Sequence, residues 1–334
     1  MNSKNFARLL TLLCVLTLVV LPTCVLTTAN ATDGHYPVTV TNQNYAGEKV
    51  EYTYEKAPEK VIVVYQSSIE TMIALGLEDH VLASYGLDNA VKDEWKDGFD
   101  KMNYDASVFA PDKETVTLME PDMIFSWGSY FGEKMIGEVD AWNAKGVGTY
   151  MKFTSAPVSA RILENEYLDI LNIGKIFNVE EKAEALVNNM KAKVADTLAL
   201  TKDSEPVSVI VIQPRKDGDF TNRAANSLAG DMVTSLGGTM AKPEGSRVNR
   251  EELIACNPDV IFTIYMPRDG RDFAEMEAEY VSMIKDDAML QSLDAVKNNR
   301  VYAIQLGEVY ASGPRTADGL AELAAGMYPS LMEQ

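Results

Sequence analysis

Arginine and the large aromatics are the residues of this 334-residue chain best placed to do chemistry, and both are unevenly distributed. None of the ten arginines lies between positions 9 and 160, whereas Arg215, Arg223, Arg268 and Arg271 follow apolar runs in the second half and Arg315 opens the last helical segment. A guanidinium offers a planar fork of N–H donors that matches anionic oxygens such as carboxylates or catecholates. Tyr65, Tyr85, Trp127, Tyr130 and Phe131 follow apolar runs in the first half, and Tyr310 is their late counterpart. Such rings supply flat apolar faces. An aromatic wall opposed to a basic one suits an anionic, partly conjugated small molecule.

Catalysis has less to draw on. Two histidines, His35 and His80, cannot build a multi-histidine metal site, and a free Zn or Mn ion would want three or four convergent ligands. A secreted hydrolase, the remote alternative, needs a Gly-x-Ser-x-Gly elbow and a downstream His; the first is missing and no His follows position 80. Gly146 and Gly148 lack the third glycine of a dinucleotide fingerprint and precede a strand-like run instead of following one. Lys and Arg number 30 against 49 Asp and Glu, a net charge of −19 that repels nucleic-acid backbones. The expectation is a binding protein and not an enzyme, with no catalytic residue, resident metal or cofactor.

Lys4 and Arg8 precede an apolar core from Leu9 to Val20, Pro22 interrupts it, and Ala29 and Ala31 sit at −3 and −1 of a cut before Thr32. Residues 1–31 therefore read as a secretory signal peptide. A membrane anchor over 9–32 is the alternative, against which Pro22 and the Thr-rich tail argue. Leu21 to Cys24 resembles a bacterial lipobox, although Thr23 departs from the usual small residue, so lipidation at Cys24 is a third possibility. Removal of the segment leaves 28 basic residues against 49 acidic ones, a net −21. The protein is expected outside the cytoplasmic membrane, soluble or tethered through Cys24.

An α/β scaffold must position the aromatic and basic residues. Residues 38–54 alternate around a turn-rich centre, which predicts a hairpin within an extension spanning 32–58. Val61 to Val64 reads as a doubly buried parallel strand, and Ser67 to Glu70 then opens a helix with a capping-box pattern that ends at Gly76. Strands follow near 81–84, 123–126 and 149–153, with a helix from about 132 to 145, so 59–157 forms one α/β lobe. From 158 to 203 the pattern is helical without a strand and predicts a connector, its first segment ending before Gly174. Strand grammar returns at 207–212, 260–262 and 301–304, with helices near 226–236, 273–284 and 314–326, which makes 204–334 a second lobe.

One motif occurs in both lobes. Glu114 to Phe125 and Glu251 to Phe262 share a Glu opening a short helix, a Pro-Asp step seven residues on, and a buried strand start. Internal similarity of this kind marks duplicated lobes. The ordered set of Ala57 to Val64, Glu70 to Leu77, both Glu-to-Phe motifs and the helical connector resembles the periplasmic binding proteins of ABC importers for ferric siderophores, haem and cobalamin, over residues 57–328. That resemblance implies two Rossmann-like lobes joined by a single long helix, with the ligand in the cleft between them. It implies a monomer that delivers an iron(III)-siderophore-type chelate, or alternatively haem or cobalamin, to a permease dimer with its ATPase subunits. It also implies that Glu114 and Glu251 dock on the permease, and that the 127–131 region contacts ligand.

Overall fold

The structure is a computed structural model and describes residues 34–156, 159–267, 271–310 and 312–332. The signal segment, Cys24 and Arg268 lie outside the described residues. Strands β1 (Val38–Gln43) and β2 (Lys49–Tyr54) pair antiparallel with Val38 opposite Tyr54, as the alternation predicts. Val38, Val40 and Tyr54 turn inward and seat the hairpin on the first lobe. There the Asn42 side chain takes the place of a neighbouring strand: its Nδ2 donates to Met151 O at 2.9 Å and its Oδ1 accepts from Met151 N at 3.0 Å. This amide pairing protects an otherwise open sheet edge.

The first lobe contains β3 (Val61–Val64), helix α1 (Gln66–Ala74), β4 (Val81–Tyr85), α2 (Lys113–Met119), β5 (Met123–Ser126), α3 (Val139–Asn143) and β6 (Gly148–Met151). Its sheet is parallel throughout, in the order β4-β3-β5-β6. Two local expectations are corrected. The helix from 132 to 145 contracts to the five residues of α3, because Gly137 at φ +99° turns the chain just before it. The capping box at Ser67 to Glu70 does not form: α1 begins at Gln66 without a side-chain cap, and Glu70 is fully buried and turned to Arg315.

The connector is two helices, α4 (Leu163–Ile176) and the 22-residue α5 (Glu180–Thr201). At 1.5 Å per residue α5 spans about 33 Å and is the long crossing element. Gly174 does not end α4; it is a contact glycine, since a Cβ there would lie 2.3 Å from the Ala183 methyl of α5. The second lobe follows with β7 (Ser208–Pro214), β8 (Phe220–Asn222), α6 (Leu228–Ser235), β9 (Thr239–Met240), β10 (Arg247–Val248), α7 (Arg250–Cys256), β11 (Val260–Tyr265), α8 (Phe273–Lys285), β12 (Val301–Gln305), α9 (Leu306–Val309) and α10 (Thr316–Met327). Its sheet runs β10-β8-β7-β11-β12, parallel from β7 to β12, with β8 antiparallel and β9 on the start of β7. One apolar core joins β3, β5, β7 and β11 through α4, α5, α6 and α10 and so continues from lobe to lobe.

The repeated motif has one architecture in both places. Asp112 caps α2 and Asn249 caps α7, the latter in a full capping box. Both helices end on a left-handed residue, Glu120 at φ 50° and Asn257 at φ 36°. Beyond each proline the Asp carboxylate then accepts from the backbone where the neighbouring strand begins: Asp122 from Glu59 N and Lys60 N, both at 2.8 Å, and Asp259 from Ser208 N at 2.8 Å. The acid sets the offset between adjacent parallel strands.

Candidate functional site

Strands β3 and β5 and helix α9 each end on an aromatic residue, and the three rings meet. Tyr65 follows β3 at φ 90°, a conformation that costs energy for a residue with a Cβ and is concentrated at binding sites. Its N–H donates to Tyr85 O at 2.8 Å. Trp127 follows β5; Gly128 beside it must be glycine, because a Cβ would lie 2.9 Å from Ser155 O. The Trp127 ring centroid lies 5.3 Å from Tyr65 and 5.1 Å from Tyr310. Tyr130 and Phe109 extend the wall, 6.1 and 6.2 Å from Tyr65. With Asp88 and Ser129 these rings line a pocket of about 330 Å³. A second cavity of about 480 Å³ adjoins it at Phe109 and is closed on the other side by Pro267, Arg271 and Phe273 of the second lobe.

Two arginines flank the Tyr310 side of this pocket. Arg223 stands 4.2 Å above the Tyr310 ring and Arg161 5.9 Å from it, both within cation–π range. The Nη2 of Arg223 donates to Gln213 Oε1 at 2.6 Å, while its buried Nε meets no acceptor. Burial pushes the Arg223 pKa down, the Tyr310 and Tyr65 hydroxyls pull it back, and Arg161 lowers it further. Among the described residues no carboxylate is ion-paired with either guanidinium. Two like charges beside a desolvated aromatic wall favour an anion, with Asp88 bringing one carboxylate to the same pocket. Burial, followed by the nearby Tyr310, pushes the Tyr130 phenol up to about 12, so it stays a neutral hydrogen-bonding group.

Of the residues expected in the site, Tyr65, Trp127, Tyr130, Tyr310 and Arg223 come together. The others do not. Tyr85 and Phe131 are fully buried in the core on the outer face of the first sheet, because the pleat and the turn after Tyr130 carry them away from the cleft. Arg215 is exposed on the β7–β8 hairpin, 3.5 Å from Asp217. Arg271 pairs with Glu279 at 2.5 Å on the surface, although it borders the second cavity. Arg315 is buried against Glu70, with Nε 2.9 and 2.8 Å from the two carboxylate oxygens and Nη2 2.6 Å from Oε1. Burial opposes the Arg315 charge and the Glu70 carboxylate more than restores it, so its pKa rises and its Nε and Nη2 are committed to Glu70. Glu114 and Glu251 are exposed in the first turns of α2 and α7.

Phe109, Asp88 and Arg161 were not singled out by the sequence. Phe109 sits in an irregular loop with no strand end to mark it, Asp88 lies three residues beyond the end of β4, and Arg161 is the first arginine after the long gap.

A model of the periplasmic binding protein family matches residues 61–306. The chain is 32% identical to a periplasmic binding protein of Veillonella parvula DSM 2008, with a TM-score of 0.79 over 89% of this chain and 93% of that one. It is 26% identical over 308 residues to the uncharacterized ABC transporter substrate-binding lipoprotein YvrC of Bacillus subtilis, covering 90% of this chain and 88% of the relative. It is also 26% identical over 274 residues to the petrobactin-binding protein YclQ of Bacillus subtilis, covering 77% and 78%.

Proposed function

Since the chain belongs to the periplasmic binding protein family, whose members serve transporters and are not enzymes, we propose that its cleft captures an anionic ferric siderophore-type chelate outside the cytoplasmic membrane and delivers it to an ABC permease. The observation that carries this reading is Arg223 stacked on Tyr310, beside Arg161, at the edge of the aromatic pocket, with neither guanidinium ion-paired to a carboxylate among the described residues. A ferric chelate presents charged oxygens around a conjugated periphery; the oxygens take the guanidinium donors and the periphery takes the rings of Tyr65, Trp127 and Tyr130. The petrobactin-binding function named for YclQ agrees with this ligand class. Haem, with its propionates, and cobalamin are the competing ligands on the same scaffold.

In this reading Glu114 and Glu251 serve the permease, one acid on each lobe at matching places of the repeated motif. Exposed carboxylates at a rim steer and register a partner more than they add affinity. The test of the ligand is a titration of iron(III) tris-catecholate, a ferric hydroxamate, ferric citrate, haemin and cobalamin, followed by quenching of Trp127 fluorescence. Tight binding of an anionic ferric chelate supports the reading. Binding of cobalamin alone, unaffected by loss of Arg223, overturns it.

A further inference from the structure

The segment that carries Tyr310 belongs to the second lobe by sequence but is fastened at both ends to the first. At its start, Gly307 N donates to Asn89 Oδ1 at 3.1 Å and the Asn89 Nδ2 donates to Gln305 Oε1 at 2.6 Å. A Cβ at Gly307 would lie 2.9 Å from the Asn89 amide, so glycine is what admits this contact. At its end, Arg315 forks onto Glu70 of α1 and donates to Ala90 O at 2.7 Å. Gly313 N donates to Glu166 Oε2 at 2.8 Å, and that carboxylate is held by the buried Lys152 at 3.0 Å. Gln66 closes the circuit: its Nε2 donates to Glu70 at 2.5 Å and its Oε1 accepts from Asp88 N and Asn89 N at 3.0 and 2.9 Å.

We infer that Arg315 and Asn89 are positioning residues for ligand capture: they pin the two ends of the 306–315 segment to the first lobe, so that the Tyr310 ring is held against Trp127 before any ligand arrives. Among the described residues between the pins all are buried except the half-buried Tyr310, whose N–H donates to Leu306 O at 3.1 Å, while the Ser312 hydroxyl donates to Glu308 O at 2.7 Å. The C-lobe side of the aromatic pocket is thus built into the N lobe, and the pocket is pre-organised instead of being assembled by closure. This rests on the reading of the Tyr65–Trp127–Tyr310 pocket as the ligand site.

The test uses the mature chain labelled with 5-fluorotryptophan, whose Trp95, Trp127 and Trp142 give three ¹⁹F signals assigned by Trp→Phe changes. Trp142, buried with its Nε1 on Ile136 O at 2.7 Å, reports folding. Trp95 lies 5.8 Å from Arg315 and is set aside. Arg315→Lys and Asn89→Ala should each move the Trp127 signal of the ligand-free protein toward its position in Tyr310→Ala, and neither should move it further in the Tyr310→Ala background. Affinity for iron(III) tris-catecholate should fall about tenfold in Arg315→Lys and in Tyr310→Ala, with no added loss in the double variant. An unchanged Trp127 signal in a variant that keeps its Trp142 signal overturns the inference, as do effects that simply add. Should Arg315→Lys lose the Trp142 signal, Asn89→Ala decides alone. If the wild-type protein binds no ferric chelate, the ligand reading fails while the ligand-free spectra still decide the positioning role.

Discussion

Arg223 and Arg215 lie eight residues apart in sequence and make opposite predictions. Arg223 is desolvated, stacked on Tyr310 and not ion-paired among the described residues, so its replacement by Ala should remove a charge-assisted bond to the ligand worth about 1.5–3 kcal/mol, or roughly 10- to 150-fold in affinity for an anionic ferric chelate. Arg215 is exposed beside Asp217, and Arg215→Ala should leave affinity unchanged. Titration of both variants by Trp127 quenching separates them. The two exposed glutamates act on a different partner. The Glu114→Ala, Glu251→Ala double variant should bind its ligand like the wild type yet stimulate permease ATP hydrolysis less; full stimulation would remove them from the docking surface.

At the scale of elements, the α4–α5 contact decides the geometry of the connector. Gly→Ala in a helix ordinarily adds about 1 kcal/mol of stability. At Gly174 the new methyl would meet Ala183 at 2.3 Å, so Gly174→Ala should instead destabilise by about 1–3 kcal/mol, read as a lower urea midpoint at unchanged m-value. Helix α4 also brings Glu166 and Asp169 to Lys152, two carboxylates around one buried ammonium. Burial raises the Asp169 pKa from 3.8 to about 7; Lys152 pulls it back and Glu166 adds to the rise. The folded protein therefore keeps a proton that the unfolded chain has released. This group's contribution is fully present below about pH 4 and is lost as pH climbs to about 7. Asp169→Asn should flatten that decline, its stability relative to wild type improving by roughly 3 kcal/mol between pH 4 and 7.5 in parallel denaturation curves. An identical pH slope in both proteins would show that Asp169 is already ionised.

At the scale of the whole molecule, the continuous core, the α5 crossing, the buried Arg315–Glu70 pair and the bond from Gly313 N to the Lys152-held Glu166 all resist separation of the lobes. Breaking a buried pair to open a hinge strands two charges, which costs several kcal/mol. Ligand binding should accordingly change the radius of gyration little in solution scattering. A large drop on adding ligand would mean that these ties break in the free protein.

The lobes, the helical connector and the repeated helix-to-strand motif were legible because each is a local pattern: β-branched runs mark buried strands, and Pro-Asp with an αL residue ends a helix wherever it occurs. Tyr65, Trp127, Tyr310 and Arg223 were legible for a related reason, since loops beyond strand ends in an open α/β sheet face the cleft. Local pattern could not decide between a ring that faces the cleft and one that faces the core. Tyr85 closes strand β4 and Phe131 comes one turn after Trp127, yet the pleat and that turn send both rings under the sheet. Nor could it say which arginine meets a carboxylate. The partner of Arg315 is Glu70, 245 positions away, and only the packing of the last helix against the first sets the two side by side. Residue type and spacing determined the elements and the ends that carry chemistry; which charges remain unpaired for a ligand was decided by long-range contacts, because pairing is a property of neighbours in space.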